Sequence, residues 1–544
     1  MLSLAQFFSF LSRGWAILIV ALTIFLKQTY RDEKDIKLRI TNPIRLRLFC
    51  EKAGGAFIKF GQILSLRNDI LSSSYTEELL KLLNNVPRSP SFEMKNVFMG
   101  DFGKPPELYF KTFDETPIGS ASIAQVYSAT LNTGEYVAVK IKRPNIDETF
   151  ERDFLVLSFA VYVLGIFKIV RALRLKEFVH IFIEWTRREL DFRHEAANMS
   201  AIFKHAEKHP DTVVQKIYAD LSTKRVLVSG YLDNGAFSVS DIMKELQKNP
   251  SFEKLLHEEH GIELGRMSNY LIEDMMRQIF IDGFFHADPH PSNIYLISGN
   301  KLAYIDFGIV GEATTRRLHL LRLTYGIAKQ DMRMASMSFI AYSHDILEEE
   351  LAIFHRQKND SSKKLKKALD KIKEIIAENF ENDIYDILTP WYDAINSQEK
   401  NSADNSIINK ENMWQRKNSS VVFAKLVLAI RAYGLYAPEE MLIFFRTLAI
   451  IDMVALHLDN KFNLITAMNI FFEKNILSNI EKIIMEESHK KELENGIEPV
   501  GPASFDGLIE LQVIEREKLH NAKEKLGEFI SYYAERYEEV RNIL

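Results

Sequence analysis

Cysteine is all but missing from this chain: Cys50 is the only one in 544 residues. That excludes an internal disulfide framework and any metal site built on several thiolates. Basic excess is also missing. The net charge is -5 and no basic tract stands out, which argues against a nucleic-acid partner. Proline is scarce, with 15 residues, and 47% hydrophobic with 26% charged residues is a globular composition. Neither an internal repeat nor a C-terminal membrane span is apparent. The length suggests about three domain-sized units.

Long uncharged runs are few. Residues 1–26 carry one charge, Arg13, and Gly14 to Leu26 is uncharged. Thirteen residues fall short of the ~20 that cross a bilayer, unless the stretch before Arg13 is included. The segment also lacks the basic n-region and cleavage site of a signal peptide. It is equally compatible with a membrane anchor, an interfacial helix or a helix buried in the protein's own core. Leu155–Phe167, also thirteen uncharged residues, reads as a helix buried in the domain, with contact to a bilayer as the lesser option.

What is present concentrates between Asp282 and Gly311. Asp288 is followed five residues on by Asn293, the spacing of a kinase catalytic loop. Asn293 is followed by a strand, a turn at Ser298–Asn300, a second strand and the Asp306-Phe307-Gly308 triplet. A short hairpin would bring Asn293 and Asp306 side by side. An amide oxygen and a carboxylate are hard ligands of the kind a phosphate-bound Mg²⁺ takes. Asp288 would sit across from them, placed to orient a nucleophile or to hold a second metal through water. His286 and His290 do not build a zinc pair, because Pro289 and Pro291 prevent the helix that would align them. Both are read as stiffening the loop through hydrogen bonds.

Upstream, residues 43–83 read as helical. Ala53, Phe57, Phe60 and Leu64 share one face, with Lys59 and Gln62 on the other. Periodicity leaves open whether these two form a solvated face or donors aimed at an anion. VPRSPS at 86–91 reads as a linker. Strands follow: Gln125–Ala129, a turn at Asn132–Gly134, and Tyr136–Lys142, which contains Val-Ala-Val-Lys ending at Lys140. Before them runs a small-residue loop, Gly119-Ser120-Ala121-Ser122-Ile123-Ala124, where a kinase would have glycines. Lys140 suits a phosphate-binding lysine. Its carboxylate partner is open among Glu177, Glu184, Glu189 and Glu195. A hairpin turning at Asp220–Thr223 would close the sheet, and Val228–Tyr231 would be a hinge. After Gly311 the sequence looks helical at once, with no activation loop and no A-P-E triplet. Polar breaks near 396–412 and 495–504 divide the C-terminal helices, the last of them at 505–544.

Four spaced motifs then carry a resemblance. KFGQ at 59–62, PIGSASIAQVY at 117–127, ELDFRHEAAN at 189–198 and FFHADPHPSN at 284–293 resemble the UbiB-type, AarF-domain atypical kinases. Gly119 and Ser120 replace the usual first two alanines, and Ser292 replaces a glycine. The resemblance implies an α+β, protein-kinase-like two-lobed fold. It has a small antiparallel sheet lobe, a helical lobe, and N- and C-terminal helical extensions. The expected divisions are 1–26, 27–107, 108–235, 236–395 and 396–544. The family implies ATP or ADP with Mg²⁺. It also implies catalytic roles for Asp288, Lys140, Glu189 as the partner of Lys140, Asp191, and Lys59 with Gln62. Nucleotide contacts would come from Ile118 to Val126, that is Ile118, Gly119, Ser120, Ala121, Ser122, Ile123, Ala124, Gln125 and Val126, and metal contacts from Asn293 and Asp306. Expected partners are membrane lipid or isoprenoid-quinone precursors and their biosynthetic enzymes, with the nucleotide site on the cytoplasmic side of a membrane. A nucleotide-binding scaffold without turnover, or a conventional protein kinase, are the alternatives.

Overall fold

The computed structural model describes residues 4–24, 42–64, 71, 73–83, 88–164, 175–232, 235–249, 251–312, 317–355, 361–396, 418–433, 435, 437, 439–495 and 530–543. The architecture is α+β and divides into two compact units. The first unit contains residues 1–209, 213–234 and 305–309, so the Asp306 triplet belongs to it. The second contains 210–212, 235–304 and 310–544.

The first unit opens with helix α1 (Leu4–Leu22), followed by α2 (Asn42–Ala53) and α3 (Ala56–Leu64). The described residues of 43–83, expected to be helical, form successive helices, the first two separated at Gly54–Gly55. Gly54 and Gly55 have φ of 65° and 54°, a left-handed conformation that ends α2. A Cβ on Gly55 would lie 2.2 Å from Asp153 Oδ2, and that same oxygen accepts the N–H of Ala56 at 2.8 Å. Asp153 thus satisfies one of the orphan donors at the start of α3. After α4 (Ser73–Leu80) and α5 (Ser91–Phe102) the chain enters the sheet.

The strands are β1 (Phe110–Phe113), β2 (Gly119–Ser120), β3 (Ala124–Leu131), β4 (Tyr136–Lys142) and β5 (Val226–Gly230). They pair antiparallel in the order β1-β3-β4-β5, with β2 on β3. Alternation explains the sheet: Val137, Val139 and Ile141 are fully buried against Met94 and Phe98 of α5. The turn into β5 differs from expectation. It is closed by Thr223 N–H to the Val226 carbonyl at 2.7 Å, and only an isolated bridge, Ile217 to Ser229, precedes it. Helices α6 (Ile146–Leu164), α7 (Leu175–Glu189) and α8 (Phe192–Ala206) complete this unit. The run expected to be a buried helix is only half so. Phe154, Val156 and Leu157 are buried, whereas Leu155, Phe159, Tyr162 and Val163 are exposed.

In the second unit, β6 (Ala236–Ser238) flanks a hairpin of β8 (Ile294–Ile297) and β9 (Lys301–Tyr304), while β7 (Phe284–His286) pairs with β10 (Val310–Glu312). The hairpin register pairs Ile294 with Tyr304 and Ile297 with Lys301. Gly299 and Asn300 take the positive φ its turn requires. Helices α9 (Val239–Lys248), α10 (Phe252–His260) and α11 (Leu264–Arg277) precede β7. After β10 come α12 (Arg317–Lys329), α13 (Met332–His355), α14 (Ser361–Asn396), α15 (Ser419–Ala429), α16 (Glu439–Leu458), α17 (Leu464–Lys474) and α18 (Leu477–Asn495). The expected breaks at 397–412 and 496–504, and the helix at 505–529, lie outside the described residues. Among those described, only Glu440–Leu458 is long and apolar enough to cross a membrane. Most of it is buried within the protein, which is how a core helix passes such a test.

Candidate nucleotide site

In the first unit, β4 directs Lys140 at α8. Its Nζ lies 2.9 Å from both carboxylate oxygens of Glu195 and 3.5 Å from Asp306 Oδ2. The expected partner, Glu189, instead takes Lys59 of α3, with Nζ to Oε1 at 2.6 Å. The reason is positional. Glu195 lies one turn into α8, whereas Glu189 ends α7 and lies beyond that helix break. Asp191 is not part of either pair. It caps α8 by accepting the Arg193 N–H at 3.1 Å and holds the Arg193 guanidinium at 2.6 Å. Gln62 donates to the Leu82 carbonyl at 3.1 Å, which braces α3.

The DFG segment is tied into this cluster. Asn198 donates to the Phe307 carbonyl at 2.9 Å, and Phe307 is fully buried. Asp306 has φ of 59°. A non-glycine residue in the left-handed region costs on the order of 1 kcal/mol and is held there only by its surroundings. Three carboxylates, Glu189, Glu195 and Asp306, thus converge on two ammonium groups, Lys59 and Lys140. Burial works against the charge on Lys140, but Asp306, Glu195 and Glu189 outweigh it and hold its pKa above the ordinary lysine value. Glu195 goes the other way. Burial, helped by the neighbouring Asp306 and Glu189 and opposed by Lys140, pushes it up to about 7.

The small-residue loop follows β2. Ala121 N–H donates to the Ala124 carbonyl at 2.8 Å. Of the nine residues expected to contact nucleotide, Ile123, Ala124 and Gln125 have buried side chains. Ile123 and Ala124 join the hydrophobic core. Gln125 accepts the Ser89 N–H and donates to Tyr127 Oη at 3.0 Å, so its side chain supports the loop. Ile118 is exposed, and Gly119, Ser120, Ala121, Ser122 and Val126 are half-buried. Arg143 was not anticipated. Its Nη2 donates to Ser120 Oγ at 2.9 Å, its Nε to the Ala121 carbonyl at 3.1 Å and its Nη1 to Ser89 Oγ at 2.8 Å. A cation three residues past the Lys140 strand position was its signal in the sequence.

In the second unit, the loop after β7 holds Asp288 and Asn293. Asn293 donates its amide N–H to the Asp288 carbonyl at 3.2 Å, and its backbone N–H to the His290 carbonyl at 2.7 Å. Both histidines stiffen this loop, as expected. His286 Nδ1 accepts the Asp288 N–H at 3.3 Å, and His290 Nδ1 lies 2.9 Å from Ser292 Oγ. Buried His286 also stacks on Tyr304. Its backbone N–H goes to Gln278, whose amide donates to buried Asp274 at 2.7 Å. Burial pulls the His290 pKa below the ordinary value. Asp288 itself is held by Arg446 of α16, Nη2 to Oδ1 at 2.6 Å. The sequence marked Arg446 only as one charge in the apolar run Met441–Ile451.

Residues 81–338 match the family model of the ABC1 atypical kinase-like domain. An uncharacterized protein of Synechocystis sp. is 30% identical over 316 residues, 57% of this chain and 73% of that protein. The chain belongs to the ABC1 atypical kinase-like family. Among other relatives, an uncharacterized protein in the hydrogenase 1 5′ region of Clostridium pasteurianum is 36% identical over 272 residues. That match covers 50% of this chain and 48% of the relative. The "probable protein kinase UbiB" of Marinobacter nauticus is 33% identical over 302 residues, 54% of this chain and 53% of that protein. The chain therefore spans about half the length of these last two relatives. Arg446 lies outside the residues matched by the family model.

Proposed function

We propose that this chain is a Mg²⁺-dependent, ATP-binding atypical kinase or ATPase that works at a membrane surface in support of isoprenoid-quinone synthesis. The observation that carries the nucleotide reading is the Lys140 cluster: a part-buried lysine beside the DFG aspartate, within an excess of carboxylates. With all three carboxylates ionised, the cluster holds one negative charge more than the two lysines neutralise, which suits a dication that arrives with phosphates. Asp306, in the first unit, would hold Mg²⁺. Asn293 uses its N–H on Asp288, which leaves its oxygen as the atom offered to a metal. The metal would neutralise phosphate charge as it builds up.

Lys140 would bind the α- and β-phosphates, Glu195 would fix its direction, and the Arg143-braced loop would cover the phosphates. Asp288 would accept the proton of a hydroxyl or water as the γ-phosphoryl group leaves the ADP oxygen for that acceptor. Only eleven positions separate Asp306 from Arg317, where α12 begins. That leaves little chain for a peptide-binding activation segment and favours water or a small molecule as acceptor. Quinone synthesis enters through the UbiB name of the Marinobacter relative.

Membrane association has support in the first unit. Trp15, Leu18, Ile19 and Leu22 of α1 are exposed, as are Phe159, Tyr162 and Val163 of α6. These two helices pack together. Apolar helix faces that carry Trp and Tyr suit the headgroup boundary. The test is phosphate release with ATP and Mg²⁺, with and without anionic vesicles, beside nucleotide affinity. Binding with turnover that vesicles raise is expected. Binding without turnover would make the chain a scaffold, and no Mg²⁺-dependent binding would end the nucleotide reading.

A further inference from the structure

The catalytic loop of the second unit is gripped from a helix the family model does not reach. Arg446 Nη2 meets Asp288 Oδ1 at 2.6 Å, with side chains 20% and 31% exposed. The adjacent Thr447 donates to the Ala287 carbonyl at 3.4 Å. Two consecutive residues of α16 therefore hold two consecutive residues of the loop. The rest of this helix is apolar: Met441, Phe444, Phe445, Leu448 and Ile451 are buried. A cation in such a helix is expensive unless paired. Its pairing is also incomplete, because Nε is buried without a hydrogen-bond partner. A guanidinium that forks onto a carboxylate uses two donors. Here one nitrogen is engaged and Nε is left over, so packing of the apolar helix fixes this geometry and the ion pair alone does not.

We infer that Arg446 is a positioning residue for Asp288, and that α16 sets the direction of the carboxylate that takes the acceptor's proton. The inference rests on the reading of Asp288 given above. It makes the C-terminal helices part of the working site. Held at Oδ1 by Arg446, the Asp288 carboxylate presents Oδ2 as the proton acceptor, and a small rotation would misdirect it. Arg446 touches neither nucleotide nor acceptor in this scheme, so its loss should appear in kcat and leave nucleotide affinity intact.

The experiment compares Arg446→Lys, Arg446→Gln, Asp288→Asn and the double variant Asp288→Asn/Arg446→Gln in the full chain. Phosphate release gives kcat and KM, and titration with ADP and Mg²⁺ gives nucleotide affinity. Arg446→Gln should lower kcat by about ten- to a hundredfold, with KM for ATP and ADP affinity within about twofold of the parent protein. Arg446→Lys should recover part of the loss, and adding Arg446→Gln to Asp288→Asn should cost nothing more. Parental kcat in Arg446→Gln, with Asp288→Asn inactive, overturns the inference alone. Parental kcat in Asp288→Asn overturns the reading of Asp288 instead. If Arg446→Gln loses ADP binding through misfolding, Arg446→Lys decides. Lowered kcat at intact affinity supports the positioning role, and parental kcat overturns it.

Discussion

Lys140 faces Glu195 symmetrically, with Nζ 2.9 Å from each carboxylate oxygen, and Glu195 sits in the first turn of α8. Glu189, six residues earlier, belongs to Lys59. The two pairs make different predictions. Lys140→Ala and Glu195→Ala should each cut turnover by about a hundredfold, and the double variant should be little worse, since the two act as one unit. Glu189→Ala should be coupled more strongly to Lys59→Ala, its direct partner, than to Lys140→Ala, whose charge it supports without a hydrogen bond. Turnover measured across the two cycles checks this. Additivity between Lys140 and Glu195 would break the assignment.

The pair should also be visible in pH. Glu195 sits at about 7, above the ordinary glutamate value of ~4.3. As pH falls through about 7, Glu195 takes up a proton and Lys140 loses its charged partner. An acid limb in kcat/KM near that pH is the expected result, and Glu195→Gln should lie at the low level throughout. The sign for stability is opposite. An acid whose pKa is raised on folding contributes stability below its unfolded value, and this is lost as pH rises through the folded one. The parent protein should therefore lose stability relative to Glu195→Gln between about pH 4.3 and about 7. Parallel unfolding curves over that window would contradict the burial of this carboxylate.

The glycine of the KFGQ motif has a packing reason. A Cβ on Gly61 would lie 2.9 Å from Cys50 Sγ and 2.5 Å from Leu82 Cδ1. In Gly61→Ala the Leu82 and Cys50 side chains or α3 itself must give way, two residues from the Lys59 that reaches Glu189. A destabilisation of about 1–3 kcal/mol is expected for such overpacking, with loss of the Lys59 contact. Cys50→Ala should relieve part of it. Thermal unfolding of the two single variants and the double variant tests this, and an unperturbed Gly61→Ala would refute the close approach.

Cys50 itself offers a simple check. Burial, with Glu51 adding to it, pushes its thiol up to about 12, so almost no thiolate exists at neutral pH. A thiol reagent should label it only on unfolding. Rapid labelling of the native protein would mean that α2 and α3 are not packed as described.

The sequence made the motifs legible because each is local. Lys140 lies on an alternating strand, and Asp288 and Asn293 share one turn of chain. The partners were not legible, because they depend on where helices stop. ELDFRHEAAN offers two glutamates, and only the break after Glu189, capped by Asp191, sends Glu195 toward β4. The break at Gly54–Gly55 had a local signal in its two glycines, but its cap did not: Asp153, almost a hundred positions away, accepts the Ala56 N–H at the start of α3. Arg446 is more remote still, 158 residues from Asp288, and no spacing rule links them. The missing charge at Leu155–Phe167 did not say which side would be buried, because an uncharged helix can be apolar towards core and surface alike.

The final prediction separates the two faces of α1. Inward, Arg13 forms two contacts with Asp153, Nε to Oδ1 at 2.6 Å and Nη2 to Oδ2 at 3.1 Å, and donates to the Ala53 carbonyl at 2.8 Å. Ile17 and Ile24 of the same segment are buried as well. The one charge of this apolar segment is thereby neutralised inside the protein, on an aspartate whose side chain is fully buried. Removing Arg13 leaves that carboxylate without its ion-pair partner, which costs about 3–5 kcal/mol in comparable cases. Outward, Trp15, Leu18, Ile19 and Leu22 carry no such duty. Arg13→Ala should therefore lower the melting temperature, and the charged pair Ile19→Glu/Tyr162→Glu should leave it nearly unchanged. The reverse pattern holds for lipid. The Ile19→Glu/Tyr162→Glu protein should no longer sediment with anionic vesicles, because two carboxylates would have to enter the headgroup boundary. Nucleotide affinity in the absence of vesicles should stay at the parental level, since neither position lies in the Lys140 cluster. Undiminished vesicle binding by that variant would show that the exposed faces of α1 and α6 do not meet the membrane.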